Sequence, residues 1–167
     1  MRVRRELFAT DRGAIASLLA ATGFFNPEEM AVALELVEER LSRGPESHYR
    51  FLVAEEAGKV LGYACWGPIP GTRFSADLYW IAVDPAHQGK GVGKALLAAA
   101  EAWMLQENRH RVYVETSTRP QYTPTRGFYL ACGYHLVAEL PDFYAPGDGQ
   151  VIFLKVLSET RSSRPSA

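Results

Sequence analysis

Between Gln88 and Lys94 three glycines stand at alternate positions, Gly89, Gly91 and Gly93, with Lys90 and Val92 between them and an alanine- and leucine-rich run directly after. Glycine lacks a Cβ, so backbone built from it can approach a ligand closely. A helix that starts in such a loop leaves its first N–H groups unpaired at the positive end of its dipole, which is a site for phosphate. Spacing narrows the choice. A Walker A loop needs four residues between its first glycine and a Gly-Lys pair, then Ser or Thr; here three residues separate Gly89 from Gly93, and Ala95 follows Lys94. A dinucleotide fingerprint needs glycine at its sixth position, which is Lys94 here. Neither pattern fits.

The elements that must hold this loop are legible around it. Residues 77–83 are mostly β-branched, aromatic and apolar, a buried strand, and Asp84-Pro85 ends it because proline cannot donate to a ladder. From Gly93 onward the apolar residues give a helix with a broad buried face. Upstream, residues 3–8 read as a first edge strand, Thr10-Asp11 as an N-cap, and the short helix it opens ends at Gly23. Asn26-Pro27-Glu28-Glu29 starts a second helix, which stops at Gly44-Pro45. Residues 49–55 and 60–66 flank Ala57-Gly58 as a hairpin. Downstream come a strand at 111–116, a turn at 120–124, and a short helix at 125–132 closed by Gly133. The last strands, 134–140 and 150–157, are joined by a connection over 141–149. This order calls for an α/β fold in one domain over residues 1–157, with a mixed, mostly antiparallel sheet and helices on both faces, followed by a polar tail at 158–167.

Composition excludes several classes. Of 167 residues 47% are apolar, yet no apolar run reaches the roughly 18 residues that a membrane span needs. The basic start lacks an apolar core and cleavage site, so no signal peptide is expected and the cytoplasm is the expected location. A net charge of -1 offers nothing to nucleic acid or an anionic membrane. Cys65 and Cys132 lie in apolar surroundings and are expected as free thiols.

With Gln88, Gly91 and Gly93 in its three fixed places, the loop resembles the Gln/Arg-x-x-Gly-x-Gly/Ala pyrophosphate loop of the GNAT N-acetyltransferase superfamily. The order of elements resembles the GNAT fold over nearly the whole chain. Phe128-Tyr129-Leu130-Ala131-Cys132-Gly133-Tyr134 is similar to the family's Phe-Tyr, three residues, Gly and an aromatic, a stretch that lies beside the pantetheine arm and the sulfur. The resemblance implies acetyl-CoA as co-substrate, with no metal. It places the pyrophosphate on Gln88, Gly89, Lys90, Gly91, Val92, Gly93 and Lys94, and the pantetheine and thioester oxygen on the backbone of Ile81, Ala82 and Val83. Phe128 lies on the pantetheine side, as does Tyr122, which stands where the family often carries Asn; Thr125 replaces the family's frequent Ala.

What the resemblance further implies is direct attack of an amine on the acetyl thioester. Tyr129 takes the place of the tyrosine that protonates the departing thiolate. Asp77, eleven residues before Gln88, is the first candidate for the base, because an ionisable residue opening a buried strand is costly without work or a partner. Glu115 on the neighbouring strand is the second. Residues 22–26 and the last strands would line the acceptor pocket, where Asp142, Tyr144 and Asp148 suit a cationic acceptor and Arg73, Arg119 and Arg126 an acidic one. The expected activity is acetylation of a primary amine on a small molecule, with protein N-terminal or lysine acetylation and a non-catalytic acyl-CoA-binding module as alternatives. Families like this one frequently form homodimers.

Overall fold

In β2 (Arg50–Glu56) and β3 (Lys59–Pro68) successive side chains fall alternately into two apolar clusters. Leu52, Ala54, Leu61, Ala64 and Trp66 pack on one face of the sheet, and Phe51, Val53, Tyr63 and Cys65 on the other. A period of two with both faces apolar requires a covering layer on each side. Helices α3 (Val92–Gln106) and α4 (Thr123–Ala131) cover the first cluster through Leu96, Leu97, Met104 and Tyr129. Helices α1 (Asp11–Thr22) and α2 (Pro27–Arg43) cover the second through Ile15, Leu19, Ala33 and Val37.

These elements belong to a computed structural model that describes residues 1–158, so of the tail expected at 158–167 all but Ser158 lies outside the described residues. With β1 (Arg2–Arg4), β4 (Ser75–Val83), β5 (Arg111–Ser117), β6 (His135–Ala145) and β7 (Asp148–Val156), the sheet runs β1-β2-β3-β4-β5-β7-β6. Only β4 and β5 pair in parallel. The expected mixed, mostly antiparallel sheet with helices on both faces is therefore present. Among the described residues no helix is long and apolar enough to cross a membrane.

Several limits shift by one or two residues, so that β4 begins at Ser75 and Asp77 is its third residue, and three larger differences have a physical cause. The first strand stops at Arg4, not at residue 8, because the Arg4 side chain turns inward to a buried pair with Asp11, 2.7 Å away. Thr10 does not cap α1 with its side chain; the Asp11 carboxylate takes the Phe8 N–H at 2.7 Å instead. Residues 141–149, expected as a loop, are mostly strand, since β6 and β7 continue to a turn at Pro146-Gly147. Pro141 is tolerated there because β6 is the sheet's outer strand. By contrast α2 opens as expected, with a reciprocal capping box between Asn26 and Glu29.

Candidate active site

Strands β4 and β5 pair only where Ser75, Ala76 and Asp77 meet Arg111, Val112 and Tyr113. Beyond Asp77, β5 stays with β7 and β4 stays with β3, so the sheet opens into a wedge with Asp77 at its apex. Among the described residues no strand pairs with one side of the β4 backbone from Leu78 to Val83. Backbone N–H and C=O groups in the middle of a sheet require partners, and an extended ligand carrying amides can supply them. Ile81, Ala82 and Val83 lie on this open stretch.

At the end of β4 the chain turns into the glycine loop. Asp84 accepts the Ala86 N–H at 3.1 Å and pairs with Lys59 at 3.0 Å, and the Gln88 side-chain amide donates to the Val83 carbonyl at 3.3 Å. These bonds brace the loop against the strand. Gly89 and Gly91 have φ of 72° and 82°, the left-handed region that glycine enters without strain, and Gly91 caps α3 with no side-chain bond. The N–H groups at the start of α3 thus have no partner within the helix. Gly93 serves a different purpose: a Cβ there would lie 3.3 Å from the Phe128 ring, so its absence lets α4 approach α3. Lys90 is tied to the Ala86 carbonyl at 3.0 Å, and Lys94 is exposed.

The other end of β4 carries side-chain chemistry. Cys65 pairs with Trp80 and Trp66 with Leu78, so Tyr79 is an extra residue, a β-bulge. The bulge resets the alternation. Leu78, Ile81 and Val83 face α3 and α4, whereas Tyr79, Trp80 and Ala82 face α1 and α2. Asp77, two residues before Tyr79, shares that second face, as does Glu115, two residues beyond the Tyr113 that pairs with Asp77. Asp77 is half-buried, and burial, with the Glu115 charge adding to it, raises its carboxyl to about 6. Glu115 is exposed. Tyr129 lies across the wedge on the α3 and α4 side, buried among Phe128, Tyr134 and Phe153 at ring separations of 5.4, 5.7 and 6.2 Å. Burial pushes its phenol well above the ordinary value, so it stays a donor. Cys132 nearby is half-buried and its thiol is raised too, which removes it as a nucleophile at neutral pH.

Aromatic side chains wall the Asp77 side. Phe25 packs edge-on against Trp80 at 5.0 Å, and Phe24 against Tyr122 at 4.6 Å, which brings the α1–α2 connection against β4 on this side. Tyr122, expected beside the pantetheine, thus has its ring in this wall. Most of the groups expected to select the acceptor have polar partners within the protein. Arg119 pairs with Asp148 at 3.1 Å, Arg126 donates to the Ser117 and Arg119 carbonyls at 2.7 and 3.0 Å, and Arg73 lies over the Phe74 ring. Asp142 takes the Gly147 N–H at 2.7 Å, and the Tyr144 hydroxyl accepts from Gln150 at 3.1 Å. Sequence reasoning missed Tyr79, Trp80 and His48, whose ring nitrogen lies 2.9 Å from the Tyr79 hydroxyl. The bulge that aims Tyr79 leaves no periodic signal, and a single histidine before a strand carries none.

Comparison with known proteins bears on the family and the fold. The family described as Acetyltransferase (GNAT) family matches residues 14–134. The chain is 32% identical over 115 residues to mycothiol acetyltransferase of Amycolatopsis mediterranei, covering 63% of this chain and 38% of that protein. It is 34% identical over 103 residues to blasticidin-S acetyltransferase of Streptomyces morookaense, covering 62% of this chain and 68% of that one. The chain therefore spans well under half the length of the first of these relatives. A crystal structure from Desulfovibrio desulfuricans, described as an acetyltransferase of the GNAT family, superposes with a TM-score of 0.92 at 39% identity, over 94% of this chain and 99% of that one.

Proposed function

Because the chain belongs to the acetyltransferase (GNAT) family, we propose that it moves the acetyl group of acetyl-CoA to a primary amine of a small molecule, by direct attack on the thioester. The observation that carries this reading is the open stretch of β4, which runs from the glycine loop at one end to Asp77 at the other. The pyrophosphate of CoA lies on the N–H groups of residues 89–93, and the amides of the pantetheine arm complete the β4 ladder over residues 81–83. The acetyl group then rests at the apex, between Tyr129 on one face and Asp77 on the other.

Asp77 is the base of this reading. A carboxyl held near 6 is ionised at neutral pH and still basic enough to draw a proton from an ammonium. Glu115 supplies the second negative charge, which raises Asp77 and attracts a cation. Tyr129 protonates the departing thiolate. Base and acid each contribute about 10²- to 10⁴-fold, and alignment along β4 with stabilisation of the thioester oxyanion supplies the larger part. The small-molecule acceptor is supported by the relatives named for mycothiol and blasticidin-S. Two free thiols, Cys65 and Cys132, suit a cytoplasmic site of action.

The test is release of CoA from acetyl-CoA, followed with a thiol reagent, across a panel of small primary amines and peptides. Turnover of small amines is expected. Turnover confined to peptides would transfer the reading to protein acetylation, and acetyl-CoA binding without any turnover would make the chain a binding module.

A further inference from the structure

Tyr79 and His48 have no part in the chemistry above, yet they are built into the acceptor side of the wedge. Tyr79 is the bulge residue, on the same face as Asp77 and two positions along. Its hydroxyl lies 2.9 Å from His48 Nε2. Gly67 of β3 makes the room: a Cβ there would stand 2.8 Å from His48 Nε2 and 3.0 Å from the Tyr79 ring. Gly67 is also the cross-strand partner of Asp77. Two strands and the segment ahead of β2 therefore bring this pair to the side of the base.

Resting on the amine-transfer reading, we propose that Tyr79 is a further catalytic residue, whose hydroxyl oxygen accepts an N–H of the acceptor amine while its own hydrogen is held by neutral His48, a positioning residue. Once the ammonium has lost one proton by way of Asp77 to solvent, Asp77 and Tyr79 each accept one of the two remaining N–H groups. This fixes the amine about its C–N axis and leaves the lone pair for the thioester carbon; the proton freed as the new C–N bond forms passes to Asp77. The two acceptors differ in kind. Asp77 draws charge, whereas Tyr79 sets orientation.

The hydrogen bond between Tyr79 and His48 gives this role a pH signature. Neutral imidazole has one acceptor nitrogen, and imidazolium has only donors. A charged His48 donates to the Tyr79 oxygen, which turns the phenol hydrogen into the cleft against the incoming ammonium. The charged and titratable groups around His48 are Arg50 on β2, Glu39 on α2, and the neighbouring Tyr49 and Tyr79. Burial first and Arg50 second lower His48 below its ordinary value, against the opposing pull of Glu39. Tyr79 is pushed up by burial and by Asp77, Tyr49, Cys65 and Glu115, so it keeps its hydrogen. The pair is thus set to accept at neutral pH. Amine KM should rise as pH falls below the ordinary histidine range.

The experiment takes whichever of phenethylamine, spermidine and alaninamide releases CoA fastest, and measures kcat and KM from about pH 5 to about pH 8. Tyr79→Phe is expected to raise amine KM about tenfold, with acetyl-CoA affinity unchanged and a shallower acid rise in KM than wild type, the part that Asp77 protonation causes. His48→Gln offers an oxygen that accepts from Tyr79 and does not titrate. It is expected to keep the low KM at neutral pH and to show a shallower acid rise in KM than wild type, the remainder being the part that Asp77 protonation causes, while the acid limb of kcat, which also belongs to Asp77, persists. An unchanged KM in Tyr79→Phe, an acid rise in KM as steep in His48→Gln as in wild type, or joint loss of acetyl-CoA binding would each overturn the proposal. Failure of every amine with wild-type protein that binds acetyl-CoA would overturn the amine-transfer reading itself, before any variant is made.

Discussion

The two ends of β4 are built on different principles. After Val83 the site is backbone: Gly89 and Gly91 in left-handed conformation, the uncapped start of α3, and an Asp84 that braces the turn. Before Trp80 the site is side chains gathered from separate elements, with Asp77 and Tyr79 from β4, Glu115 from β5, Phe24 and Phe25 from the α1–α2 connection, and His48 ahead of β2. A backbone site needs a local run of glycines and an adjoining helix, so it tolerates little change within one short stretch. A side-chain site can be altered one residue at a time, and that is where acceptors can change while the donor stays.

The largest effect is expected at the backbone end. Gly91 at φ 82° cannot take a β-branched residue without strain of about 1–2 kcal/mol or a shift of the whole loop. Gly91→Val should bring acetyl-CoA binding below detection in a calorimetric titration that reads the wild type. Retained binding would break the comparison, because the loop amides would then not be the anchor.

At the side-chain end Tyr129→Phe should lower kcat by about 10²-fold or more while leaving acetyl-CoA affinity intact. The expected readout is single-turnover acetyl transfer beside a binding titration, and equal loss in both would remove Tyr129 from the acid role.

Asp77 sharpens the contrast through pH. Its folded carboxyl is raised to about 6, so the rate should fall as pH drops through that value, and Asp77→Asn should lose that limb along with most of its rate. Stability should move the opposite way. A raised carboxyl favours the protonated fold, so its contribution is full below the unfolded value and lost as pH rises through about 6. At pH above that, the charge is a cost, and Asp77→Asn should melt later than wild type by the equivalent of about 1 kcal/mol, a figure discounted for its half-exposed position. The advantage should vanish in acid. A lower melting temperature at neutral pH would mean that the carboxylate has a structural partner.

The smallest effect serves as the control. Asn26 caps α2 through Glu29 and has no part in the glycine-loop end, so Asn26→Ala should cost about 1 kcal/mol in denaturant unfolding and leave acetyl-CoA affinity unchanged.

The same contrast explains what could be read from residues alone. The glycine loop, the strand before it, the helix after it and the Asn26 cap are set by neighbours in sequence, and they were legible with nearly correct limits. The acceptor cleft is set by contacts between segments far apart in the chain. The pairing of Asp142, Asp148, Arg119 and Arg126 with groups around them could not be seen in their composition, so they read as free charges. The bulge at Tyr79 breaks the period of two that a strand announces, and thereby hides which of its side chains face the cleft. Pro141 punctuated a stretch that is strand nonetheless, because an outer strand can spare one donor.

The central claim is that cofactor binding and acetyl transfer are carried by separate ends of β4. It is tested most directly by calorimetric titration of the double variant Asp77→Asn/Tyr129→Phe with acetyl-CoA. The account predicts an affinity within about threefold of wild type in a protein that no longer transfers acetyl groups. Loss of binding together with transfer would contradict it, and would place both functions on the same side chains.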